Sequence, residues 1–380
     1  MTQNPIPFQL LSQNPTFESL VAYCSRPDPR LWRGEEYVNK GTFDLPALEG
    51  YRSTFVRNWS PLPRLGKFWG LFNPGVIPLV AKADCVVVFG HSYASFLLAI
   101  LTAKLLRKPL LLSTDATYLE SPDGGRRWKS WLKRKLLPFL YNRVASGVLV
   151  PSTLSRRFLL SLGAREERVF LTPYVVDNES IARAAAATNR DQVRDSWDIP
   201  RDAVAVVFCG KFIARKRAAD LLQAFAGADV PDSFLVLVGD GPLRADLEGE
   251  ARRLGIEKRT RFLGLVKYSE LPAVYASCDL LVHPAEHEPY GLPVNEAMIC
   301  GIPTVVSDRV GAGLDLVRHG ETGFVYASGD VPALTVLLRD VLPRRAFLKE
   351  LGARAVERMK TWSPRENADG TADAIEHVLR

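Results

Sequence analysis

The 380-residue sequence is poor in cysteine, and none of its five cysteines forms a C-x-x-C pair. Each of the five lies in a mostly apolar neighbourhood. This spacing excludes a cysteine-based zinc ribbon and argues against a disulfide framework, so a reducing compartment, the cytoplasm, fits best. Glycine (27 residues) and proline (26 residues) are far below the levels of collagen-like or low-complexity chains, which excludes wholesale disorder.

Targeting and membrane-spanning signals are also missing. The opening MTQNPIPFQL has no basic segment followed by an apolar core, so no signal peptide is predicted. The stretch Cys85–Ala103 runs 19 residues without a charge, but the polar letters FGHSYAS interrupt it. A buried strand followed by a buried helix explains this stretch better than a membrane span does.

Charge is distributed unevenly along the chain. Residues 1–190 contain 25 Lys and Arg against 14 Asp and Glu, whereas residues 191–380 contain 24 against 28. A basic half beside a mildly acidic half indicates that the first half has an anionic partner, such as a membrane surface or a phosphorylated substrate. Nucleic acid is not expected, because no recognition motif accompanies the basic excess.

From residue 83 onward, apolar runs alternate with amphipathic segments. Continuous apolar strands separated by helices predict parallel sheets covered on both faces, which is an α/β fold. The predicted strands are CVVVFG, KPLLLST, SGVLVP, RVFLTP, AVAVVFCG, SFLVLVG, RFLGL, CDLLVHP and PTVVSD. The polar stretch 182–202 marks a boundary, which gives an N-terminal domain over 1–190 and a C-terminal domain over 191–360. Residues 361–380 are predicted to form a helix that can pack back on the N-terminal domain.

Two glycine-containing loops follow strands of the second domain. In GKFIARK (Gly210–Lys216), a glycine leaves a buried strand and is followed by cations five positions apart, which suits contacts to a diphosphate. A solvated basic loop is the alternative interpretation. In GDGP (Gly239–Pro242), the glycines permit a tight turn and put Pro242 at a favourable first helical position, so this motif is mainly structural.

The most informative motif is a pair of glutamates, Glu288 and Glu296, separated by PYGLPVN. Pro289 and Gly291 predict a turn, and a helix is expected to begin near Leu292. The first turn of such a helix is a phosphate site, because its N–H groups point outward with partial positive charge. A carboxylate one turn inside the helix can accept paired hydrogen bonds from a vicinal diol such as a ribose. A capped surface helix is the alternative.

Taken in this order, the three motifs resemble those of the retaining glycosyltransferases of family 4, which have the GT-B fold. The resemblance covers roughly residues 83–370 and is most specific over 210–325. It implies two Rossmann-like domains facing across a cleft, with the nucleotide-sugar donor on the C-terminal domain and the acceptor on the N-terminal one. In family terms, Lys211 stands where Arg is more usual, and Asp115 stands where a His is frequent.

The resemblance also implies roles for individual residues. Glu288, Lys211 and Lys216 are the expected catalytic residues, with Glu288 near the transferred sugar and both lysines at the leaving diphosphate. The expected donor-binding residues are Gly210, Lys211, Lys216, Val266, Lys267, Glu288, Tyr290, Gly291, Leu292 and Glu296. His91 and Asp115 are the candidates on the acceptor side.

The predicted activity is transfer of a sugar, with retention, from a nucleotide-sugar to a hydroxyl group of a glycan, lipid-linked or small-molecule acceptor, as in polysaccharide biosynthesis. No cofactor is expected, since the nucleotide-sugar is a substrate. No metal is expected either, because the sequence has no D-x-D motif and no ligand cluster at metal spacing. A GT-B-type sugar-nucleotide epimerase and a non-catalytic glycan-binding module remain as alternatives.

A basic, tryptophan-containing segment, GGRRWKSWLKRKLLP, covers residues 124–138. Projected as a helix, it puts most of its cations on one arc and most of its apolar residues on the other, and Pro138 is expected to end or kink it. The cationic arc contains Arg126, Arg127, Lys129, Lys133 and Arg134, and the apolar arc contains Trp128, Trp131, Leu132 and Leu136. Docking of the Arg126–Lys135 helix on anionic lipid, at the inner face of the membrane, is one interpretation. Packing of the tryptophans on the N-terminal domain is the other.

Overall fold

The computed structural model describes residues 5–25, 48–118 and 127–380, apart from the side chains of 127–130 and 132. The described residues form two compact units. The first contains residues 5–25, 48–118, 127–174 and 364–380, and the second contains residues 175–363.

Every apolar run assigned to a strand from the sequence forms one. The strands are β1 (Val21–Tyr23), β2 (Ser53–Phe55), β3 (Val86–Phe89), β4 (Leu110–Ser113), β5 (Gly147–Val150), β6 (Val169–Leu171), β7 (Val204–Cys209), β8 (Ser233–Val238), β9 (Thr260–Gly264), β10 (Leu280–His283), β11 (Thr304–Ser307) and β12 (Gly323–Tyr326). The α-helices are α1 (Ile6–Ser12), α2 (Val76–Lys82), α3 (Ala94–Leu105), α4 (Arg127–Phe139), α5 (Thr153–Ser161), α6 (Asn178–Ala186), α7 (Arg190–Asp195), α8 (Ala218–Ala228), α9 (Arg244–Arg253), α10 (Leu271–Ala276), α11 (Leu292–Ile299), α12 (Gly311–Leu316), α13 (Val331–Val341), α14 (Arg345–Met359) and α15 (Pro364–Leu379).

The first unit is built on a parallel sheet of order β3-β4-β5-β6. Because side chains alternate across a strand, Leu110 and Leu112 of β4 face one layer and Leu111 faces the other. Leu110 and Leu112 pack in one core with residues of α3 and α4, whereas Leu111 packs with α15. The uncharged stretch 85–103 is therefore a strand and a helix, as predicted from its polar interruption. Within the described residues, no helix is both long and apolar enough to span a bilayer.

The second unit contains a six-stranded parallel sheet of order β12-β11-β10-β7-β8-β9. All residues of β7, β10 and β11 are buried, as expected for strands covered by helices on both faces. The chain starts in the centre with β7, builds outward through β8 and β9, and then returns to the other side of β7 with β10. The sheet order therefore reverses between β7 and β10, and crevices at the carboxyl ends of such strands are where open α/β sheets bind ligands.

The division between the units falls at 174/175, whereas the sequence places it at 190/191. Helices α6 and α7 precede β7 in the chain but pack on the second unit. Asn178 Nδ2 donates to the carbonyl oxygen of Met359 (3.0 Å), and the fully buried Arg194 pairs with Asp279 (2.7 Å). The C-terminal helix α15 belongs to the first unit, where Asn367 Nδ2 donates to the carbonyl oxygen of Pro173 (2.7 Å).

One of the two proline expectations is confirmed and the other is wrong. Pro138 ends its α-helix within one residue, because α4 stops at Phe139 and a π-helical turn over Leu140–Val144 follows. Pro242 is not the first helical residue, since α9 begins only at Arg244. Residues 242 and 243 form a turn instead. The Leu243 N–H donates to the carbonyl oxygen of Phe212, in the loop after β7 (3.1 Å), and not to a carbonyl oxygen of its own segment.

Candidate active site

The GKF loop, which we define as Gly210–Phe212, leaves the carboxyl end of β7 and is supported by the GDGP loop after β8. The Phe212 N–H donates to the Asp240 carbonyl oxygen (3.0 Å). Gly239 has φ +134°, and a Cβ atom on it would lie 1.9 Å from the Gly210 carbonyl oxygen. Only glycine permits this approach of the two backbones. The GDGP motif therefore serves the position of the GKF loop, in agreement with its mainly structural interpretation.

Lys216 and Glu288, both predicted as catalytic, form an ion pair beside this loop. The Lys216 Nζ atom pairs with Glu288 Oε2, and both side chains are almost fully buried. His283, the last residue of β10, is fully buried with its Nε2 atom 3.6 Å from the same oxygen, and its ring lies parallel to that of Phe208. The predicted residues from two loops are thus brought together at the β7–β10 reversal, around a histidine that the sequence analysis did not select.

The charge state of this cluster follows from its neighbours. Burial alone would raise the pKa of Glu288, but the Lys216 cation and His283 outweigh it and hold that pKa well below its ordinary value. Burial lowers the pKa of His283, so its imidazole is neutral at pH 7. The cluster therefore carries one carboxylate and one ammonium group, so its net charge is zero before a further anion binds.

The predicted helix start at Leu292 is confirmed. Helix α11 spans Leu292–Ile299, with Gly291 as its N-cap at φ +104° and Pro293 in its first turn. Most side chains are disfavoured at this positive φ, which explains the glycine. The Tyr290 side chain is buried, and its hydroxyl accepts hydrogen bonds from Trp362 Nε1 (2.6 Å) and Asn295 Nδ2 (3.2 Å). These contacts give the Tyr290 ring a structural role.

Glu296 lies one turn inside α11 and is 5% exposed. Its Oε2 atom accepts a hydrogen bond from the Tyr275 hydroxyl (2.8 Å), and the Tyr268 hydroxyl also donates to the carboxylate. Burial raises the pKa of Glu296 to about 7, although the two tyrosines lower it part of the way back. Near neutral pH, the protonation of this carboxyl is therefore sensitive to anything that donates to it.

The last residue of β7, Cys209, lies between the two glutamate clusters. Its thiol interacts with the Tyr275 hydroxyl and is close enough to Glu296 and Lys216 to feel both charges. Burial raises the pKa of the Cys209 thiol to about 12, so the thiol is uncharged and packs between Glu296 and Lys216. Glu296 and the Lys216–Glu288 pair thus lie around one point, the carboxyl end of β7.

The remaining predicted donor residues lie on the flanking loops. Lys211 is half-buried in the GKF loop. Val266 and Lys267 follow β9, and the exposed ammonium group of Lys267 lies 4.0 Å from Glu270. These positions border the carboxyl ends of β7 and β9. Within the described residues, no three His, Cys, Asp or Glu side chains group as a metal site would require.

His91 and Asp115, the acceptor-side candidates, lie together at the carboxyl ends of β3 and β4 in the first unit. Asp115 acts electrostatically on His91 and hydrogen-bonds the Tyr174 side chain. Burial lowers the pKa of His91, with Lys133 of α4 acting in the same direction. The first sheet therefore has its own cluster of titratable groups at its ligand-binding edge.

Sequence reasoning missed three residues of the second unit's site: His283, Tyr268 and Tyr275. His283 ends a predicted strand, so the rule that ligands bind at carboxyl ends of parallel strands could have selected it. No motif or spacing in the sequence relates Tyr268 and Tyr275 to Glu296. Only the fold brings their hydroxyls to Glu296.

Two family models match the chain. The model "Glycosyl transferases group 1" covers residues 189–358, and "Glycosyl transferase 4-like domain" covers residues 19–174. A GDP-mannose-dependent alpha-(1-6)-phosphatidylinositol monomannoside mannosyltransferase from Mycolicibacterium smegmatis is 35% identical over 339 residues, which are 85% of this chain and 82% of the relative. The chain belongs to glycosyltransferase family 4.

A second relative also matches most of the chain, and solved structures show its fold. The sulfoquinovosyl transferase SQD2 of Arabidopsis thaliana is 30% identical over 348 residues, 90% of this chain. The chain spans 63% of that relative's length. Anabaena HepE in complex with UDP superimposes with a TM-score of 0.73 at 20% identity, covering 98% of this chain and 96% of HepE. Sucrose-phosphate synthase from Thermosynechococcus elongatus gives 0.71 at 20% identity, covering 98% and 92%. The predicted α/β fold of GT-B type is thereby confirmed.

Proposed function

We propose that this family 4 chain is a retaining glycosyltransferase that moves a hexosyl group from a nucleotide-sugar to an acceptor hydroxyl. The observation that carries the proposal is the grouping of the Lys216–Glu288 pair, the start of α11 and buried Glu296 at the β7–β10 reversal. A cation beside a helix N-terminus suits a diphosphate, and a buried carboxylate suits a ribose diol.

In the proposed mechanism, the ribose hydroxyls donate to Glu296, and Val266 and Lys267 lie near the nucleobase. The diphosphate lies at Gly291 and Leu292, within reach of Lys211 and Lys216. When the bond between the sugar C1 and the phosphate oxygen breaks, the electron pair moves onto that oxygen, and the cations and helix amides stabilise the growing charge. The acceptor oxygen bonds to C1 on the same face, and its proton passes to the departing phosphate oxygen.

The activity can be tested without knowing the donor in advance. A thermal-shift screen against UDP-, GDP-, ADP- and dTDP-sugars identifies the donor, since ligand binding raises apparent stability. Nuclear magnetic resonance of the product then reports the anomeric configuration. Retention is expected. An inverted product would refute the mechanism, and donor conversion without transfer would favour the epimerase alternative.

Metal independence is part of the proposal, because Lys211, Lys216 and the first turn of α11 supply the charge that a metal would otherwise supply. We expect the transfer rate to change less than about twofold when the enzyme is dialysed against EDTA and assayed with the chelator present. Added Mg²⁺ or Mn²⁺ should have an equally small effect. A loss of activity that a divalent cation restores would contradict this account.

The acceptor is proposed to contact His91 and Asp115 of the first unit. Among glycan, lipid-linked and small-molecule acceptors, the lipid-linked class has support, since the mycobacterial relative is named for a phosphatidylinositol monomannoside acceptor.

We propose a cytoplasmic enzyme that acts at the inner face of the membrane. The five unpaired cysteines support a reducing compartment.

Docking of the basic helix on anionic lipid fits this location. In α4, Lys133, Arg134 and Lys135 are exposed, and so are Trp131 (61%) and Leu136 (52%). The exposed Trp131 argues against the alternative in which the tryptophans pack on the domain. Arg126 lies outside the described residues, as do the side chains of Arg127, Trp128, Lys129 and Leu132.

The hydrogen bond from Tyr275 yields a prediction for donor binding. Changing Tyr275 to Phe removes a donor to the Glu296 carboxylate, so the pKa of Glu296 should rise above about 7. Binding of the screened nucleoside diphosphate should then weaken about threefold to tenfold at pH 7 and recover at higher pH. Calorimetric titration across pH measures both effects.

A matched control is Tyr326→Phe. Tyr326 is also buried, and its hydroxyl has no hydrogen-bond partner in the described part of the chain. The pH dependence of binding should be unchanged in this variant. An equal shift in both variants would mean that Tyr275 has only a packing role.

A further inference from the structure

Helices α3 and α4 lie on the same face of the first unit's sheet. Connections between neighbouring parallel strands are right-handed, so the crossovers β3-α3-β4 and β4-α4-β5 put their helices on one side. Ile100 of α3 and Leu137 of α4 accordingly share one core with Leu110 and Leu112. The two helices also meet at one end, where Lys104 Nζ donates to the carbonyl oxygen of Arg143, in the turn that follows α4 (3.2 Å).

The outer face of α3 is unusually apolar. Leu97, Leu101 and Leu105 are 40%, 57% and 82% exposed, and their spacing of four residues aligns them in one stripe. The inner face buries Ala99, Ile100 and Ala103 as expected. An ordinary surface helix has polar residues opposite its buried face, so the leucine stripe is not explained by the folding of this unit.

The outer face of α4 also exposes large apolar side chains. Trp131, Leu136 and Phe139 are 61%, 52% and 59% exposed. The exposed cations beside them include Lys104 of α3 and Lys133, Arg134 and Lys135 of α4. Neither helix contains a single Asp or Glu. The two helices together therefore present apolar side chains among charges of one sign.

We infer that α3 and α4 form one membrane-docking surface, in which the leucines of α3 enter the interface of an anionic bilayer while the cations of α4 bind its headgroups. This inference rests on the proposed docking of α4 and adds α3 as the inserting element. With twelve residues, α3 is about 18 Å long, too short to cross the hydrocarbon core. It lies in the plane of the interface, with its leucine stripe toward the acyl chains.

Charge favours lipid over a second copy of the chain as the occupant. In a two-fold dimer through this face, the same patch would lie on both sides. Cations would then face cations, with no acidic residue on either helix to compensate. A soluble anionic glycan would use the cations but leave the leucine stripe in water, whereas an anionic bilayer satisfies both features.

The test is sedimentation of the full chain with vesicles of phosphatidylcholine alone or with 30% phosphatidylglycerol, over a range of salt concentrations. One variant changes Leu97, Leu101 and Leu105 to Gln. A second changes Arg126, Lys129, Lys133 and Arg134 to Gln. A control changes Val336, Val356 and Leu379 to Gln, because these residues are exposed on other helices. Circular dichroism checks the folding of each variant.

We expect the leucine variant to bind anionic vesicles about 10- to 100-fold more weakly than the unchanged chain, with its salt dependence retained. The cation variant should lose the salt dependence, and the control should bind as the unchanged chain does. Unchanged binding of the leucine variant would overturn the role of α3 while leaving that of α4. Absence of binding by the unchanged chain, or a dimer in ultracentrifugation that only the leucine variant abolishes, would overturn the membrane surface itself.

Discussion

Changing Lys216 to Ala is expected to lower kcat about 100- to 1000-fold while the donor KM changes less than tenfold. Lys216 is nearly buried beside the start of α11, where the proposed mechanism puts the leaving diphosphate. The negative charge on that group grows in the transition state, so its cation contributes more to the rate than to ground-state binding. Steady-state kinetics with the screened donor measure both constants.

Removing Lys216 also leaves Glu288 buried without its cation, which can lower stability. Thermal unfolding and circular dichroism of Lys216→Ala therefore check that the variant is folded at the assay temperature. Lys258→Ala, at an exposed lysine of the same unit, is the matched control and should retain full kcat. If Lys216→Ala changed only the KM for the acceptor, the assignment to the diphosphate would be wrong.

The second large effect is expected at Glu296. Changing it to Ala should weaken donor binding about 10- to 100-fold, because a charged acceptor of the ribose hydroxyls is lost. In the unchanged protein, affinity should be constant above pH 7 and fall by up to about tenfold per pH unit below it. The sign follows from the raised pKa of about 7, since the protonated carboxyl accepts hydrogen bonds more weakly.

Glu296→Gln is the isosteric companion variant for this test. It cannot titrate, so its donor affinity should be flat between pH 5.5 and 8.5 and lower than that of the unchanged protein above pH 7. Calorimetric titration at several pH values distinguishes the cases. The same pH dependence in Glu296→Gln would assign the titration to another group.

Most of the fold was predictable because its strands are buried on both faces. Runs such as VAVVFC and FLVLV are apolar throughout, and all of β7 lies in the core. Strand β12 was not predicted, because its letters GFVY are short and begin with a glycine. That glycine reflects the neighbouring strand: a Cβ on Gly323 would lie 2.0 Å from the Thr304 carbonyl oxygen. The glycine is therefore required by a tertiary contact, which the local strand propensity does not reveal.

The site was partly predictable for a similar reason. Gly291, Leu292 and Glu296 are neighbours along the chain, so a turn and a helix start sufficed to relate them. The contact between Lys216 and Glu288 joins residues 72 positions apart in the chain. The family resemblance implied that both residues serve the donor, but it did not predict their ion pair. The hydroxyl of Tyr275 reaches Glu296 from another helix, which no spacing rule predicts.

The central claim is that a nucleotide-sugar binds at the β7–β10 reversal of the second unit. A crystal structure with the nucleoside diphosphate that binds best in the thermal-shift screen tests it most directly. We expect the diphosphate at the first turn of α11 within hydrogen-bond distance of Lys216, and the ribose hydroxyls on Glu296. A nucleotide bound at another place, such as the carboxyl ends of β3 and β4 beside His91, would contradict the account.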